Sequence, residues 1–429
     1  MKKFEILKRK LWISRQPQNA KTQDVTMADM ETAQLFDPTL PPEAQDDSIQ
    51  PNTLLGDPIQ IDEPAPPVHH LPRFSKILFI ISGFSLIIFI AAIIWPGFAD
   101  FFNRYPGAFI RGLLAHLTNW IPFSLAEAML IMLPVAIIFL MRIAIKKYSD
   151  TWHNTWVYVG ILLSCASIFF STFALGFGTG YRGSTVDKKL GIDTENITAE
   201  ELYATARILA DHINAESKNI TFRYKNFSVM PYNIGQMNDK LNDSYAKLSE
   251  QYDFLPKLYS RVKPVMLSEP MSYTHITGVY TYFTGESNIN VVFPDYSIPF
   301  TAAHELAHQR GIAREDEANF IGFLACINSD DPYIRYSGYL YLYEDYVAPA
   351  LYKADKDLYN KVNSTIPTAV KYEMSASSRF FDKYRQSTAS KVSGAVNDAY
   401  LKSQGTEGTI SYSYVVELAV GYYRAGGLK

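Results

Sequence analysis

The residues whose types and spacing could do chemistry lie in one segment, residues 300–326, with the sequence FTAAHELAHQRGIAREDEANFIGFLAC. His304 and His308 are four residues apart, so on a helix both imidazoles lie on one face and can bind one ion. Glu305 follows the first histidine and can contact a water molecule on that ion. Zinc lowers the pKa of a bound water, and a neighbouring carboxylate takes its proton as general base. The segment therefore predicts a Zn²⁺ site with Glu305 as the catalytic base.

This HExxH pattern is short, and its meaning depends on its context. Pro299 precedes the predicted helix, and Gly311 stands where a helix would end with a glycine. A second helix is predicted from Glu315 onwards, opening with acids and continuing with apolar residues. Two histidines at this spacing are often ordinary structural residues, but these neighbours favour a metal site.

A catalytic zinc site needs three protein ligands and an open position, so a third ligand must follow Gly311. In proteases with HExxHxxGxxH that ligand lies three residues after the glycine, where this chain has Arg314. Arginine cannot bind zinc, which excludes that class. The segment resembles instead the glutamate class, in which a following helix supplies Glu and, four residues later, Asp or Asn. Here these are Glu315 and Asn319, and Asn319 would orient a ligating imidazole by pairing with its other N–H.

A second acid competes for the role of third ligand. Glu317 lies in the same predicted helical turn as Glu315, the favoured ligand. Acids in a first helical turn are also stabilised by the helix dipole without any metal, and this alternative stays open for both residues.

The strand-like residues just before the motif are expected to border the cleft. In zinc proteases such a strand pairs with the extended substrate, and residues 289–293 are the candidate; an ordinary core strand is the equal alternative. His275 has no predicted partner and is interpreted as structural. Three polar residues either shape the cleft or belong to a turn: Glu286, Asn288 and Asn290.

Peptide hydrolysis also needs a donor that stabilises the oxyanion of the tetrahedral intermediate. The candidates after the metal helices are Arg335, Tyr336 and Tyr339. The chain has 29 tyrosines, so a tyrosine near the motif carries little information by itself.

Three long apolar runs precede the motif, at residues 77–98, 125–145 and 156–177. Each has about the 20 residues needed to cross the hydrocarbon core of a bilayer. Buried helices of a large soluble core are the alternative, and three such runs in succession favour membrane helices.

Basic residues next to these runs predict the orientation in the plasma membrane. They precede the first run and follow the second: Arg73, Lys76, Arg142, Lys146 and Lys147. The positive-inside rule then places the amino terminus in the cytoplasm and the residues after 178 outside it.

The chain is thus expected to have three parts: a disordered, acidic, proline-rich tail at residues 1–72, a transmembrane region at 73–178, and a soluble domain at 179–429. Thr198 and Glu201 predict a capped helix, strand-like residues follow at 262–292, and the chain after Pro299 is helical. The domain is therefore predicted to be mainly helical α+β.

Composition excludes some partners and bonds. The net charge is -3 with a pI of about 6.3, so no nucleic-acid partner is expected. Cys165 lies in an apolar run and Cys326 in a soluble helix, so no disulfide is expected.

At these residues the chain resembles a family of bacterial membrane proteins of unassigned function, which combine amino-terminal membrane helices with a zincin-like domain. The matching residues are 263–265, 284–290, 299–311, 315–319, 400–405 and 411–424. The resemblance covers roughly residues 72–429 and implies metallopeptidase character with a zinc site on His304, His308 and an acid. It implies no substrate, and the acidic tail is atypical of the family.

The leading hypothesis is a membrane-anchored zinc metallopeptidase that hydrolyses peptide or protein substrates outside the cytoplasm. The alternative is a non-catalytic sensor or scaffold that binds zinc for structure, which would fill the open position with a fourth ligand. Retention of Glu305 favours the enzyme. An intramembrane protease is disfavoured because residues 300–317 are too polar to lie inside a span.

Overall fold

The computed structural model describes residues 66–385 and 387–428 of the chain. The tail predicted at residues 1–72 lies outside this description, apart from its last residues from Pro66 onwards. The described residues are mostly helical and contain one small sheet, as predicted for a mainly helical α+β chain. They belong to one compact unit that begins at Pro66.

Within residues 66–385 and 387–428, three helices are long and apolar enough to cross a membrane, by length and composition. The helices of this region, in chain order, are α1 (Arg73–Ile94), α2 (Pro96–Phe102), a π-helical turn (Asn103–Gly107), α3 (Ala108–Asn119), α4 (Leu125–Ile143), a second π-helical turn (Ala144–Tyr148) and α5 (Trp152–Gly176). The candidate spans are α1, α4 with its π-helical turn, and α5.

The first span ends earlier than the apolar run at residues 77–98 predicts. Pro96 has no N–H to donate and takes the first position of α2, so α1 ends at Ile94. The second and third spans agree with their predicted runs to within about one helical turn.

The helices α1 and α5 pack along each other, whereas α4 is attached at few points. The hydroxyl of Ser164 donates to Oγ of Ser75 at 2.9 Å, and the hydroxyl of Tyr158 donates to the carbonyl of Leu140 in α4 at 2.8 Å. Along α4, Glu127 is the one buried residue. Many apolar side chains of all three helices are exposed, as expected for surfaces that face lipid.

Three helices precede the sheet: α6 (Val186–Leu190), α7 (Ala199–Ser217) and α8 (Ile234–Gln251). A capping box of Thr198 and Glu201 starts α7, which confirms that prediction. Asn233 and Gln236 form a second capping box at the start of α8.

The sheet has three short strands, β1 (Val262–Pro264), β2 (Gly278–Thr281) and β3 (Glu286–Ile289), with the helix α9 (Ser268–Ser272) between the first two. The order is β1-β3-β2, with β1 parallel and β2 antiparallel to β3. The strand β3 is thus central and fully buried, and β2 lies at an edge of this sheet.

The region after Pro299 is helical, as predicted, but its first helix begins at Ser297 and contains Pro299 in its first turn. Its elements are α10 (Ser297–Gln309), α11 (Glu315–Ile327), α12 (Pro332–Leu342), a π-helical turn (Tyr343–Val347), α13 (Ala348–Ala354), α14 (Lys356–Thr365), α15 (Thr368–Asp382), α16 (Thr388–Ser403), a 3₁₀ segment (Gly408–Tyr414) and α17 (Val415–Arg424).

The core is built around α10 and α11, in which nearly every residue is buried. Neighbouring elements bond to α10 from several sides. The hydroxyl of Tyr245 in α8 donates to the carbonyl of Ala303 at 2.5 Å, and Ser287 in β3 donates to the carbonyl of Glu305 at 2.9 Å. Such contacts fix the position of α10 along its length.

A buried ion pair in the sheet attaches the second candidate span to the domain. Glu286 of β3 accepts hydrogen bonds from the first two N–H groups of α4, those of Leu125 and Ala126, each at 3.1 Å. The Nζ of Lys263 in β1 lies 2.5 Å from Glu286 and also donates to the carbonyl of Thr118 at 2.8 Å. One carboxylate thereby satisfies two orphan donors at a helix start and neutralises a buried ammonium group.

Replacing Glu286 by Gln is expected to destabilise the chain by about 3–5 kcal/mol, because it leaves Lys263 buried without a counter-charge. The midpoint of thermal unfolding in detergent should fall by roughly 5–10 °C. The double variant Glu286→Gln with Lys263→Met should recover part of that loss. The exposed pair of Lys257 and Glu250 provides the control, since Glu250→Gln should leave the midpoint unchanged. An unchanged midpoint in Glu286→Gln would contradict this role.

Candidate metal centre

The helix α10 carries the two histidines and Glu305 on a buried segment with a defined end. Its last turn closes when the N–H of Gly311 donates to the carbonyl of His308 at 2.9 Å and that of Ile312 to Ala307 at 3.2 Å. Gly311 has a φ of +93°, which confirms the predicted glycine at the helix end. A Cβ at this position would also collide with the guanidinium of Arg111.

The chain then turns back, and α11 brings Glu315 opposite the two histidines. Oε2 of Glu315 lies 3.3 Å from Nε2 of His304 and 3.6 Å from Nε2 of His308. One donor atom from each of the three residues lies within 4.8 Å of the other two. The histidine rings are perpendicular, with centroids 4.6 Å apart.

These donors fit a zinc ion in type and spacing. Two imidazoles and a carboxylate are ligands that catalytic zinc sites use. Zinc bonds of about 2.0–2.1 Å in a tetrahedron separate ligand atoms by roughly 3.3–3.4 Å. The distances from Glu315 to His304 and His308, 3.3 and 3.6 Å, are close to that separation.

The two imidazoles differ in how they are oriented. Nδ1 of His308 donates to the carbonyl of Ile312 at 2.7 Å, which turns its Nε2 towards Glu315. Nδ1 of His304 has no hydrogen-bond partner among the described residues. Asn319 lies close enough to act on the pKa of His304 and donates its Nδ2 to the hydroxyl of Tyr346 at 3.0 Å. The predicted orienting role of Asn319 therefore stays a prediction.

The carboxylate of Glu305 is held beside the strand β2. A Cβ on Gly278 would lie 2.5 Å from Oε1 of Glu305, so only glycine leaves room for this carboxylate. The backbone N–H of Tyr280 also bonds to it, whereas Oε2 is buried and has no hydrogen-bond partner in the part of the chain that the structure describes. Glu305 thus keeps one free oxygen in the cavity that it shares with the histidines.

Glu317 is engaged elsewhere. Its Oε1 accepts a hydrogen bond from the N–H of Val186 at 3.0 Å and lies 3.6 Å from Nε of Arg314. The geometry therefore favours Glu315 over Glu317 as the third ligand.

The electrostatics of the cluster favour a cation. Burial lowers the pKa of His304, and the charge of His308 lowers it further. Burial also acts to lower the pKa of His308, but the neighbouring Glu315 outweighs it and raises the pKa to about 9. Burial acts to raise the pKa of Glu315, yet its contacts with both histidines hold that pKa well below the usual range. Desolvation raises the pKa of Glu305 to about 8. An ionised carboxylate buried beside two imidazoles stabilises positive charge between them.

The cluster opens into a cavity of about 560 Å³. Residues 274–280 form one wall, and the helix α16 forms another with small residues on one face. These residues of α16 are spaced by three and four positions: Ser390, Ser393, Gly394 and Asn397. The outer face of α16 is exposed at Val392 and Val396, so this helix covers the cavity without being part of the core.

The prediction that Arg335, Tyr336 or Tyr339 stabilises the oxyanion is wrong. Arg335 makes a two-point bond to Glu216, at 2.6 and 3.0 Å. Tyr336 donates to Glu373, and Tyr339 stacks on His212 with ring centroids 4.4 Å apart. None of the three lines the cavity.

The predicted substrate strand is also wrong. Ile289 ends β3, which has β1 on one side and β2 on the other, and the rest of residues 289–293 follows outside the sheet. Of the three polar residues, Glu286 anchors α4, and Asn290 donates to Ser268 and Ser272, each at 2.9 Å. Asn288 is buried in β3.

The sequence did not identify several residues that line the cavity. His275 has a φ of +59° and stacks on Phe381 at 6.0 Å, and it lines the cavity rather than being only structural. Tyr346 lies beside Asn319 and also lines the cavity. For α16, the regular spacing of small residues in an amphipathic segment was the available signal.

A family model described as "Protein of unknown function (DUF3810)" matches residues 103–420, which is more than half of the chain. The match begins after α1 and includes α4, α5 and the candidate metal centre, and is narrower than the resemblance at residues 72–429. No curated protein and no solved structure matches the chain.

We predict that each full-length chain binds one zinc ion and that Glu315, but not Glu317, is needed to bind it. His304→Ala and Glu315→Gln should each lose the metal, because each removes one of the three donors. Glu317→Gln should keep it, because Glu317 bonds to Val186. Zinc content measured by mass spectrometry after dialysis provides the readout, with circular dichroism to show that each variant is folded. Retention of zinc in Glu315→Gln together with its loss in Glu317→Gln would contradict the assignment.

Proposed function

The chain belongs to this family of unknown function, and we propose that it is a membrane-anchored zinc metallopeptidase with a zincin-like domain. The observation that carries the proposal is the convergence of His304, Glu305, His308 and Glu315 on one cavity. The helix α10 is not one of the three candidate spans, and this supports a proposed active site outside the hydrocarbon core.

The arrangement supports catalysis over a purely structural metal. Structural zinc sites are closed by four protein ligands, and catalytic sites keep one position open. Among the described residues the cluster contains three donor groups, and it adjoins a cavity. Glu305 also lines that cavity, but its carboxylate lies against Gly278 in β2 and not within the three-donor cluster.

Bound zinc would supply Lewis-acid chemistry, polarising a water molecule and the scissile carbonyl. Glu305 would act as general base, accepting the proton of the attacking water and passing it to the leaving amine. The bond from the backbone N–H of Tyr280 fixes the orientation of the Glu305 carboxylate.

The strand β2 supports a peptide as substrate. It lies at the edge of the sheet, and its residues 278–280 line the cavity. An extended peptide could pair with the backbone of such an edge, which recognises polypeptide with little demand on sequence. The substrate strand would then be β2 and not the segment predicted from the sequence.

We further propose that the domain lies outside the cytoplasm. The amino-terminal end of α4 and the carboxy-terminal end of α5 both contact the domain, through Glu286 and Arg111. The basic residues Arg142, Lys146 and Lys147 lie at the opposite end of α4. The positive-inside rule places that end in the cytoplasm.

Glu305→Gln should separate chemistry from metal binding. The zinc-loaded chain should hydrolyse an unfolded, fluorescently labelled protein, and Glu305→Gln should keep its zinc and lose about 100-fold or more in rate, because it lacks the base. Gly278→Ala should also keep zinc and lose activity, because a Cβ displaces the carboxylate of Glu305. The exposed Glu250→Gln is the control and should match the wild type. Full activity in Glu305→Gln would contradict the mechanism.

Cysteine labelling tests the orientation. Tyr224 is 88% exposed on the domain, and Lys147 lies at the far end of α4. On intact cells a membrane-impermeant maleimide should label Tyr224→Cys, and should label Lys147→Cys only after permeabilisation. The parent chain measures the background from Cys165 and Cys326. The reverse pattern would place the domain in the cytoplasm.

A further inference from the structure

The proposed active site begins where the third candidate span ends. Phe177 directly follows the last residue of α5, and its ring centroid lies 5.8 Å from that of His308. Phe177 and Tyr181, in the short segment after α5, both line the cavity. The predicted metal ligands are therefore separated from a membrane helix by a single ring.

Hydrogen bonds from Arg111 and Asn103 hold the proposed active site against the end of that span. The guanidinium of Arg111 donates to the carbonyl of Gly176, in the last turn of α5, at 2.7 Å and to the carbonyl of Arg310, at the end of α10, at 3.3 Å. Nδ2 of Asn103 donates to the carbonyl of Gly311 at 3.0 Å. The guanidinium of Arg111 thus donates hydrogen bonds to the ends of both α5 and α10.

The turn between β2 and β3 reaches further along the same span. The ring of Tyr282 lies 5.3 Å from that of Phe173, and Phe283 lies 5.0 Å from Phe169. Phe169 lies about two helical turns, or roughly 10 Å, before the end of α5. The turn that follows β2 therefore packs against the last turns of a candidate span, which would bring the edge strand β2 close to the membrane surface.

The cavity is lined mainly by aromatic and other uncharged side chains. Apart from Glu305, Glu315 and histidines, no acidic or basic side chain lines it among the described residues. Its aromatic residues come from the end of α5, the sheet and the later helices, and include Tyr282, Phe300 and Tyr400. Burying a charged substrate residue against such a wall would be unfavourable, whereas apolar residues would be accepted.

We infer that the substrates are membrane-anchored polypeptides, cut at an apolar segment within a few residues of their own membrane span. This inference rests on the proposed peptidase function and adds the class of substrate. The reaction is hydrolysis: the peptide C–N bond breaks, the hydroxyl of water joins the acyl carbon, and its proton passes through Glu305 to the amine. A chain that leaves the bilayer beside α5 reaches the cavity after few residues, since each extended residue spans about 3.3 Å.

The test uses the full-length, zinc-loaded chain in phosphatidylcholine liposomes with three forms of one substrate pool. A randomised segment of about ten residues is attached directly to a leucine-alanine span, attached through a Gly/Ser spacer of about 40 residues with a mean reach of roughly 35 Å, or left free. Both anchored forms have the same concentration in the membrane, so they differ only in distance from it. Products are identified by mass spectrometry.

The directly attached form should be cut at least about tenfold faster than the spaced form, next to apolar residues, and Glu305→Gln should abolish the products. Equal or faster cleavage of the spaced or free form, still lost in Glu305→Gln, would overturn the inference and leave the peptidase function intact. Cleavage next to charged residues would overturn the role of the apolar cavity. No cleavage of any form by the zinc-loaded chain would contradict the peptidase function and the inference together.

Discussion

The guanidinium of Arg111 is the contact that joins the third candidate span to the helix of the candidate metal centre. It is fully buried and bonds to the carbonyls of Asn103, Gly176 and Arg310. Burial lowers its pKa to about 10, so it stays charged at neutral pH. The carboxy-terminal ends of helices carry partial negative charge, and a buried cation between two such ends holds them together. The geometry of α10, and therefore of the candidate metal site, is set against the membrane helix α5.

Buried carboxylates hold the second candidate span, α4, against the domain in a similar way. Glu286 and Glu127 together satisfy backbone N–H groups on both sides of the junction, since Glu127 accepts from Met266 and Leu267 at 3.0 and 2.7 Å. Buried charges of this kind need their partners in place, so the domain and the spans cannot separate without large desolvation costs. The candidate spans are thus a structural support of the candidate metal centre and do more than attach it to a membrane. Under the proposed function, this attachment would restrict the active site to substrates at the membrane surface.

Local patterns predicted the elements that depend on neighbours in sequence. The spacing of His304 and His308, the glycine stop at Gly311 and the capping box at Thr198 each need only a few adjacent residues, and the structure has the helices that they indicate. The choice of Glu315 over Glu317 could be ranked from the motif, but only the fold shows that Glu317 bonds to Val186. The metal itself and the peptidase function remain proposals.

Features that depend on distant partners could not be predicted. The role of Glu286 was left open because its partners in α4 lie far away in the sequence. Arg335 was given the wrong role because its partner, Glu216, is also distant in the sequence. Residues 289–293 were strand-like, but which strand lies at the edge is decided by pairing with β1 and β2. The wall formed by α16 follows from the packing of the last part of the chain over the cavity.

X-ray absorption at the zinc edge of the full-length chain tests the central claim most directly. The account predicts bound zinc with nitrogen and oxygen neighbours at about 2.0–2.1 Å. The multiple scattering should correspond to two imidazoles, and no sulfur should be detected. The shell of nitrogen and oxygen neighbours should also include one carboxylate oxygen and one solvent oxygen. A spectrum without imidazole scattering, with sulfur, or with four protein ligands would contradict a catalytic centre on His304, His308 and Glu315. So would a folded chain that takes up no zinc.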